Sequence, residues 1–130
     1  MDWEAGQGHY PYQATIDAYG DGGFRFADMS HRGSLICLPS GMCAWDVQIA
    51  SELTLASLER VLAGADAIDV LLIGLGPDIV AISPDIRAAF KEKGVIVEAV
   101  STGSAVRTYN VLLAEKRAVG AALIAVEKAR

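Results

Sequence analysis

The sequence holds little of what usually announces a chemistry. Its 130 residues include two cysteines, two histidines and four prolines, and aromatics make up 7%. Two cysteines do not make a disulfide scaffold, and a chain this long buries roughly two-thirds of its unfolded surface without staples. Cys37 and Cys43 lie in or beside an apolar run. The ordinary reading is a pair of buried, reduced thiols; a hairpin disulfide or a redox switch is the alternative. The spacing of Cys37, Cys43, His9 and His31 matches no compact zinc pattern, so no metal is expected. No apolar run is long enough to span a bilayer. The opening Met1-Asp2-Trp3-Glu4 carries two acids and no apolar stretch, so neither a secretory signal nor a transit peptide is expected and the location is read as cytoplasmic.

Positive charge is also scarce. The net charge is −5, and the first fifty residues hold six acids against two bases. No basic patch is available for a phosphate backbone, which argues against nucleic acid as a partner. An anionic membrane surface is disfavoured on the same grounds. What the chain does have is a globular balance, 52% hydrophobic and 21% charged.

Residues 1–13 read as an aromatic arm, with Trp3, Tyr10 and Tyr12 between Gly6, Gly8 and Pro11. From Ala14 the pattern is strands and turns. Ala14 to Tyr19 alternates, Gly20-Asp21-Gly22-Gly23 supplies a reversal, and Phe24 to Phe26 resumes the alternation. Ser34 to Leu38 is a continuous apolar run of strand length, which predicts burial on both faces, and Cys43 to Val47 is one more short strand.

The period then lengthens. Leu55, Leu58, Val61 and Leu62 share a helical face, with Thr54 as its cap and Gly64 as its stop. Ile68 to Ile73 is the strongest strand. Ser83-Pro84-Asp85 opens a helix with a capping hydroxyl, a proline at the first position and an acid, and Gly94 closes it after Lys93. Val95 to Val100 is a strand, a third helix follows Ser101 with Val106, Tyr109, Leu112 and Leu113 as its buried stripe, and Val119 to Val126 is the last strand. The order is ββββαβαβαβ over residues 14–126, an α/β class in a single domain. Its later strands are expected to pair in parallel through right-handed crossovers.

The candidate chemistry is thin. Gly74-Leu75-Gly76 follows a good strand, but Ile79 replaces the third glycine of a dinucleotide fingerprint and no helix opens at Gly76. No Walker lysine and no Gly-x-Ser-x-Gly elbow occur, and His9 and His31, both read as solvated, precede the α/β region. No catalytic residue and no cofactor is therefore expected. One strand-end cluster remains: Gly74, Gly76, Ser101, Thr102, Gly103 and Ser104, with Arg107 one turn inside the helix. Its hydroxyls and amides suit a small anion, and a capped helix with nothing bound is the plainer alternative.

Several runs carry a resemblance over Ala14 to Leu123: Tyr19-Gly20 with Gly23-Phe24, Leu38-Pro39 with Trp45, Gly74-Leu75-Gly76, and Ser101 to Asn110 followed by Leu112, Glu115, Arg117 and Val119 to Leu123. The most specific are Thr108-Tyr109-Asn110 and the Glu115-x-Arg117 turn. The chain resembles the small family that includes a mitochondrial respiratory complex I assembly factor and an adipogenesis-associated human protein, with stand-alone bacterial and archaeal members. The resemblance implies a three-layer α/β domain with a mixed central sheet and an added N-terminal β-hairpin layer. It also implies a non-enzymatic interaction or assembly module with a protein partner, an expectation weighed against the anion-binding alternative and against a homo-oligomer joined through the arm. It carries over no catalytic residue. Lys116 occupies a turn position where a glycine is expected. Trp45 is read as a core anchor, Asn110 as a partner for a neighbouring carbonyl, and Glu115 with Arg117 as a pair across the turn.

Overall fold

A computed structural model describes residues 9–129. Trp3, Gly6 and Gly8 of the expected arm lie outside them. The elements in chain order are β1 (His9–Tyr10), β2 (Ala18–Gly20), β3 (Gly23–Phe26), β4 (Met29–Arg32), β5 (Ser34–Leu38), β6 (Gly41–Trp45), α1 (Glu59–Ala63), β7 (Val70–Gly74), α2 (Pro84–Glu92), β8 (Ile96–Val100), α3 (Thr102–Ala114) and β9 (Val119–Leu123). Six of the strands form one sheet in the order β1-β6-β5-β9-β7-β8, and β2, β3 and β4 form a second, smaller sheet.

The large sheet is mixed. β7 pairs in parallel with both β8 and β9, while β5 runs antiparallel to β9 and β6. Alternation then builds two cores. Ile36, Leu38, Leu71, Ile73 and Ala122 point to one side, against Leu58, Val61, Ile86 and Phe90 of the segments around α1 and α2. Leu35, Cys37, Leu72, Ala121 and Leu123 point to the other, against Phe24 and Phe26 of the small sheet and Val106 and Tyr109 of α3. The result is the three-layer α/β arrangement implied by the resemblance. Its inner strands β5 and β9 are buried along their whole length because both faces are covered.

The crossovers follow from chirality. From β7 the chain passes through α2 to β8 on one side, then returns through α3 over β7 to β9 on the other. Right-handed connections in opposite directions put α2 and α3 on opposite faces and make the β7–β9 boundary a switch point.

Two strands beyond the expected four precede the first helix. β1 is a two-residue edge strand fixed by its pairing with Met42 and Cys43 of β6. β4 completes a meander whose second turn, Ala27-Asp28, has both residues at positive φ (50° and 62°) without a glycine to mark it. The first turn is the one read from the residues: Asp21 and Gly22, at φ 52° and 79°, join Gly20 to Gly23.

The first helix is shorter than its periodicity predicts, a 3₁₀ turn at Ala56–Leu58 followed by the five residues of α1. Thr54 still caps it, accepting from the Ser57 N–H at 3.1 Å. Ser83 departs from its expected role. Its hydroxyl donates to the Asp85 carboxylate and accepts from no helix amide. His31, expected in solvent, is buried with its Nε2 3.0 Å from the Ser34 carbonyl. β4 alternates, so His31 and Phe24 face inward while Arg32 faces out. Cys37 and Cys43 are free, buried thiols on opposite faces of the large sheet, so no hairpin disulfide joins them.

α3 ends in a Schellman motif. The Lys116 N–H donates to the Leu113 carbonyl and the Arg117 N–H to the Leu112 carbonyl, both at 2.9 Å, with Lys116 at φ 62°. Glu115 and Arg117 are exposed, and this turn is held by its backbone. A side chain in the left-handed region at this position carries a steric cost that glycine avoids. Lys116→Gly is expected to raise stability by about 0.5–1 kcal/mol, read as a higher midpoint with unchanged slope in urea unfolding.

Candidate functional site

The switch point gathers the strand ends that the sequence singled out. Gly74 and Thr102 are in direct contact: a Cβ on Gly74 would lie 2.9 Å from the Thr102 Cα and 3.0 Å from its Oγ1. Gly74 is small because α3 enters against the end of β7. This approach lets the buried Thr102 do two things at once. Its hydroxyl donates to the Ile124 carbonyl at 2.6 Å and accepts from the Gly76 N–H at 3.0 Å. The backbone completes the clasp, with Thr102 N–H donating to the Gly76 carbonyl and Ile124 N–H to the Gly74 carbonyl, each at 2.9 Å.

The amides at the start of α3 are thus largely engaged by the protein. Ser101 caps the helix by accepting from the Ser104 N–H at 3.3 Å, and Ala105 N–H donates to the Ser101 carbonyl. Gly103 is buried, and Arg107 lies exposed with Nη2 3.4 Å from the Ser104 hydroxyl. This geometry does the work of a joint between two strands and a helix.

The Thr108-Tyr109-Asn110 run serves a second joint. Asn110 offers its amide to Ile16 as a neighbouring strand would: Ile16 N–H donates to Oδ1 and Nδ2 donates to the Ile16 carbonyl, both at 2.8 Å. Tyr109, buried between the sheet and the segment before β2, donates its hydroxyl to the Ala14 carbonyl at 2.7 Å. Gln13 adds a bond from Nε2 to the Val119 carbonyl at 2.7 Å. Thr108 faces solvent. Burial pushes the Tyr109 phenol well above its ordinary range, with Cys37 beside it raising it further. Burial likewise pushes the Cys37 thiol far up against the lowering effect of the Tyr109 hydrogen bond, and it raises Cys43 against the lowering charge of Arg60. None of these groups is activated as a nucleophile or general base at neutral pH.

Beside the clasp lies the feature that sequence reading missed. A groove of about 620 Å³ runs over the ends of β7 and β9, with Ile49, Leu75, Pro77, Val80, Ile124 and Val126 as its apolar lining and Gln48, Asp78, Glu127 and Lys128 as its polar lining. Ile49 is 57% exposed and Val80 45%, with Ile79 at 67% on the adjoining loop. Trp45, by contrast, is the core anchor expected of it, buried with its indole N–H donating to the Ser57 carbonyl at 2.7 Å.

The model of a family of proteins of unknown function, DUF498/DUF598, matches residues 16–124. The chain belongs to that family. A Rhodobacter capsulatus protein described as uncharacterized is 43% identical over 109 residues, 84% of this chain and 82% of its own. The mouse NADH dehydrogenase [ubiquinone] 1 alpha subcomplex assembly factor 3 is 29% identical over 118 residues, 91% of this chain. This chain spans 64% of the length of that assembly factor. A crystal structure described as an outer membrane protein from Bartonella henselae superposes with a TM-score of 0.87 at 53% identity, covering 92% of this chain and 100% of that one. Among the described residues no helix is long and apolar enough to cross a membrane.

The clasp has a measurable consequence. Thr102→Val keeps the shape of the side chain, removes the bond to Ile124 and leaves the buried Gly76 N–H without its side-chain acceptor. The expected loss is about 2–3 kcal/mol in chemical unfolding, while Thr102→Ser recovers most of it.

Proposed function

We propose that this chain is an assembly module that holds an apolar segment of a partner protein in the groove over the ends of β7 and β9. The observation that carries the reading is the exposure of Ile49 and Val80 on the walls of that groove. Branched aliphatic side chains on a concave surface lose contact with water when an apolar segment covers them, and such patches mark interaction sites. The fold supplies a fixed floor, because Gly76 and Ile124 line the groove and are also the two backbone partners of the Thr102 hydroxyl. The relationship to a protein named as an NADH dehydrogenase assembly factor supports a protein partner, and favours a subunit of a respiratory or other membrane complex, whose membrane-facing segments are apolar. Two buried free thiols suit a reducing compartment, which supports action from the cytoplasm.

The test is site-specific photo-crosslinking in the native host with the crosslinker at position 49. The expected product is an adduct with a membrane-complex subunit, cut by about tenfold in a Val80→Glu background, since one buried charge facing an apolar segment costs that much affinity or more. Val80 is exposed, so the substitution should leave folding stability within about 0.5 kcal/mol. Adducts formed only with a second copy of this chain, or adducts with a subunit that Val80→Glu leaves unchanged, would overturn the reading.

A further inference from the structure

The scarce positive charge of the first fifty residues is not scattered. Its two bases are Arg25 and Arg32, and the meander brings both to one face. Arg25 pairs in register with Ser30 on β4 and with Ala18 on β2, while Arg32 pairs with Gly23, which in turn pairs with Gly20. Side chains alternate along a strand, so Ala18, Gly20, Gly23, Arg25, Ser30 and Arg32 share the outer face, and Phe24, Phe26 and His31 turn to the core. Arg25 and Arg32 are diagonal neighbours on adjacent strands, an arrangement that leaves like charges about 7–8 Å apart at their bases and repelling.

That outer face walls an open cavity of about 510 Å³, within the size range of small-molecule sites. Its floor is bare backbone. Gly23 cannot carry a side chain, because a Cβ there would lie 2.1 Å from the His31 carbonyl oxygen, and Gly20 has φ +130°. The Ser30 hydroxyl accepts from Arg25 Nη1 at 3.2 Å and so steadies one guanidinium over the floor. Asp21 is the single acid among the residues lining the cavity. In a chain with a net charge of −5, this is a local excess of cation, with only the small Ser30 side chain beside the two arginines on that face.

We propose that the outer face of the β2–β3–β4 sheet binds a small oxyanion, a ligand whose phosphate or carboxylate group is gripped by Arg25 and Arg32 while its body lies on the Gly20–Gly23 floor. An oxyanion between the two guanidiniums relieves their repulsion and accepts forked hydrogen bonds that lysine cannot supply. This site is on the opposite layer from α1 and α2, and its turn adjoins the rim of the strand-end groove, since the Asp21 and Gly22 amides donate to the Glu127 and Val126 carbonyls.

Inorganic phosphate and succinate are titrated separately into the isotope-labelled full chain at constant ionic strength, with backbone amide shifts as the readout. Saturable shifts are expected at Gly20, Gly23, Arg25 and Arg32 with at least one of the two anions, and which one saturates distinguishes a phosphate from a carboxylate ligand. Arg25→Gln and Arg32→Gln should each weaken binding by about tenfold or more, and the corresponding lysine variants should recover part of it. Both arginines are exposed, so spectra of the variants should keep the native dispersion elsewhere. Absence of saturable shifts with both anions, or binding that survives in the Arg25→Gln/Arg32→Gln double variant, would overturn the proposal.

Discussion

One hydroxyl holds the ends of the central strands together. The Thr102 side chain bonds at once to the segments that leave β7 and β9, at the place where the chain has just turned into α3. A parallel pair of strands has no turn to join its ends, so their splaying must be resisted by something that reaches both. Thr102 does so from inside the protein, and Gly74 allows it because no side chain keeps α3 away. A buried hydroxyl with donor and acceptor both used costs little to bury and much to remove.

The proposed function depends on this joint through the groove. Gly76 and Ile124 are its floor as well as the partners of Thr102, so the apolar walls Ile49 and Val80 stand on a rigid base while their own segments lack regular structure. For the partner segment proposed above, the fixed floor lowers the ordering cost of binding, while the irregular rim adds to it. Tyr109 and Cys37 are shifted upward by burial and occupied with packing and backbone bonds, as expected of a joint between layers. The Tyr109-Asn110 pair secures the small sheet by treating Ala14 and Ile16 as if they were a neighbouring strand.

Much of the fold was legible where local chemistry and tertiary context agree. Ser34 to Leu38, the Asp21-Gly22 turn, Gly94 and the alternation of strand and helix after residue 68 were readable because apolar runs, glycines and caps act within a few residues. β4 was hidden because its turn places Ala27 and Asp28 in the left-handed region without a glycine signal. β1 was hidden because a two-residue strand exists only through its partner. Sequence reading puts His31 in solvent because its neighbours do not show which side of a short strand it takes, whereas the pleat of β4 turns it to the core. The strand-end cluster was named from the residues, yet the use of Thr102 depends on Gly76 and Ile124, which lie 26 and 22 residues away in the chain. The groove left no trace in the sequence, since Ile49, Ile79 and Val80 sit in irregular segments without periodicity.

Thr102 closes the strand ends and so fixes the floor of the groove. Native-state hydrogen exchange at the Gly76 amide tests it most directly. This amide is expected to exchange only through global unfolding, within about 1 kcal/mol of the most protected amides of β7 and β9. Exchange at the rate of the neighbouring residues 78–80 would contradict it, because the strand ends would then open without the rest of the protein.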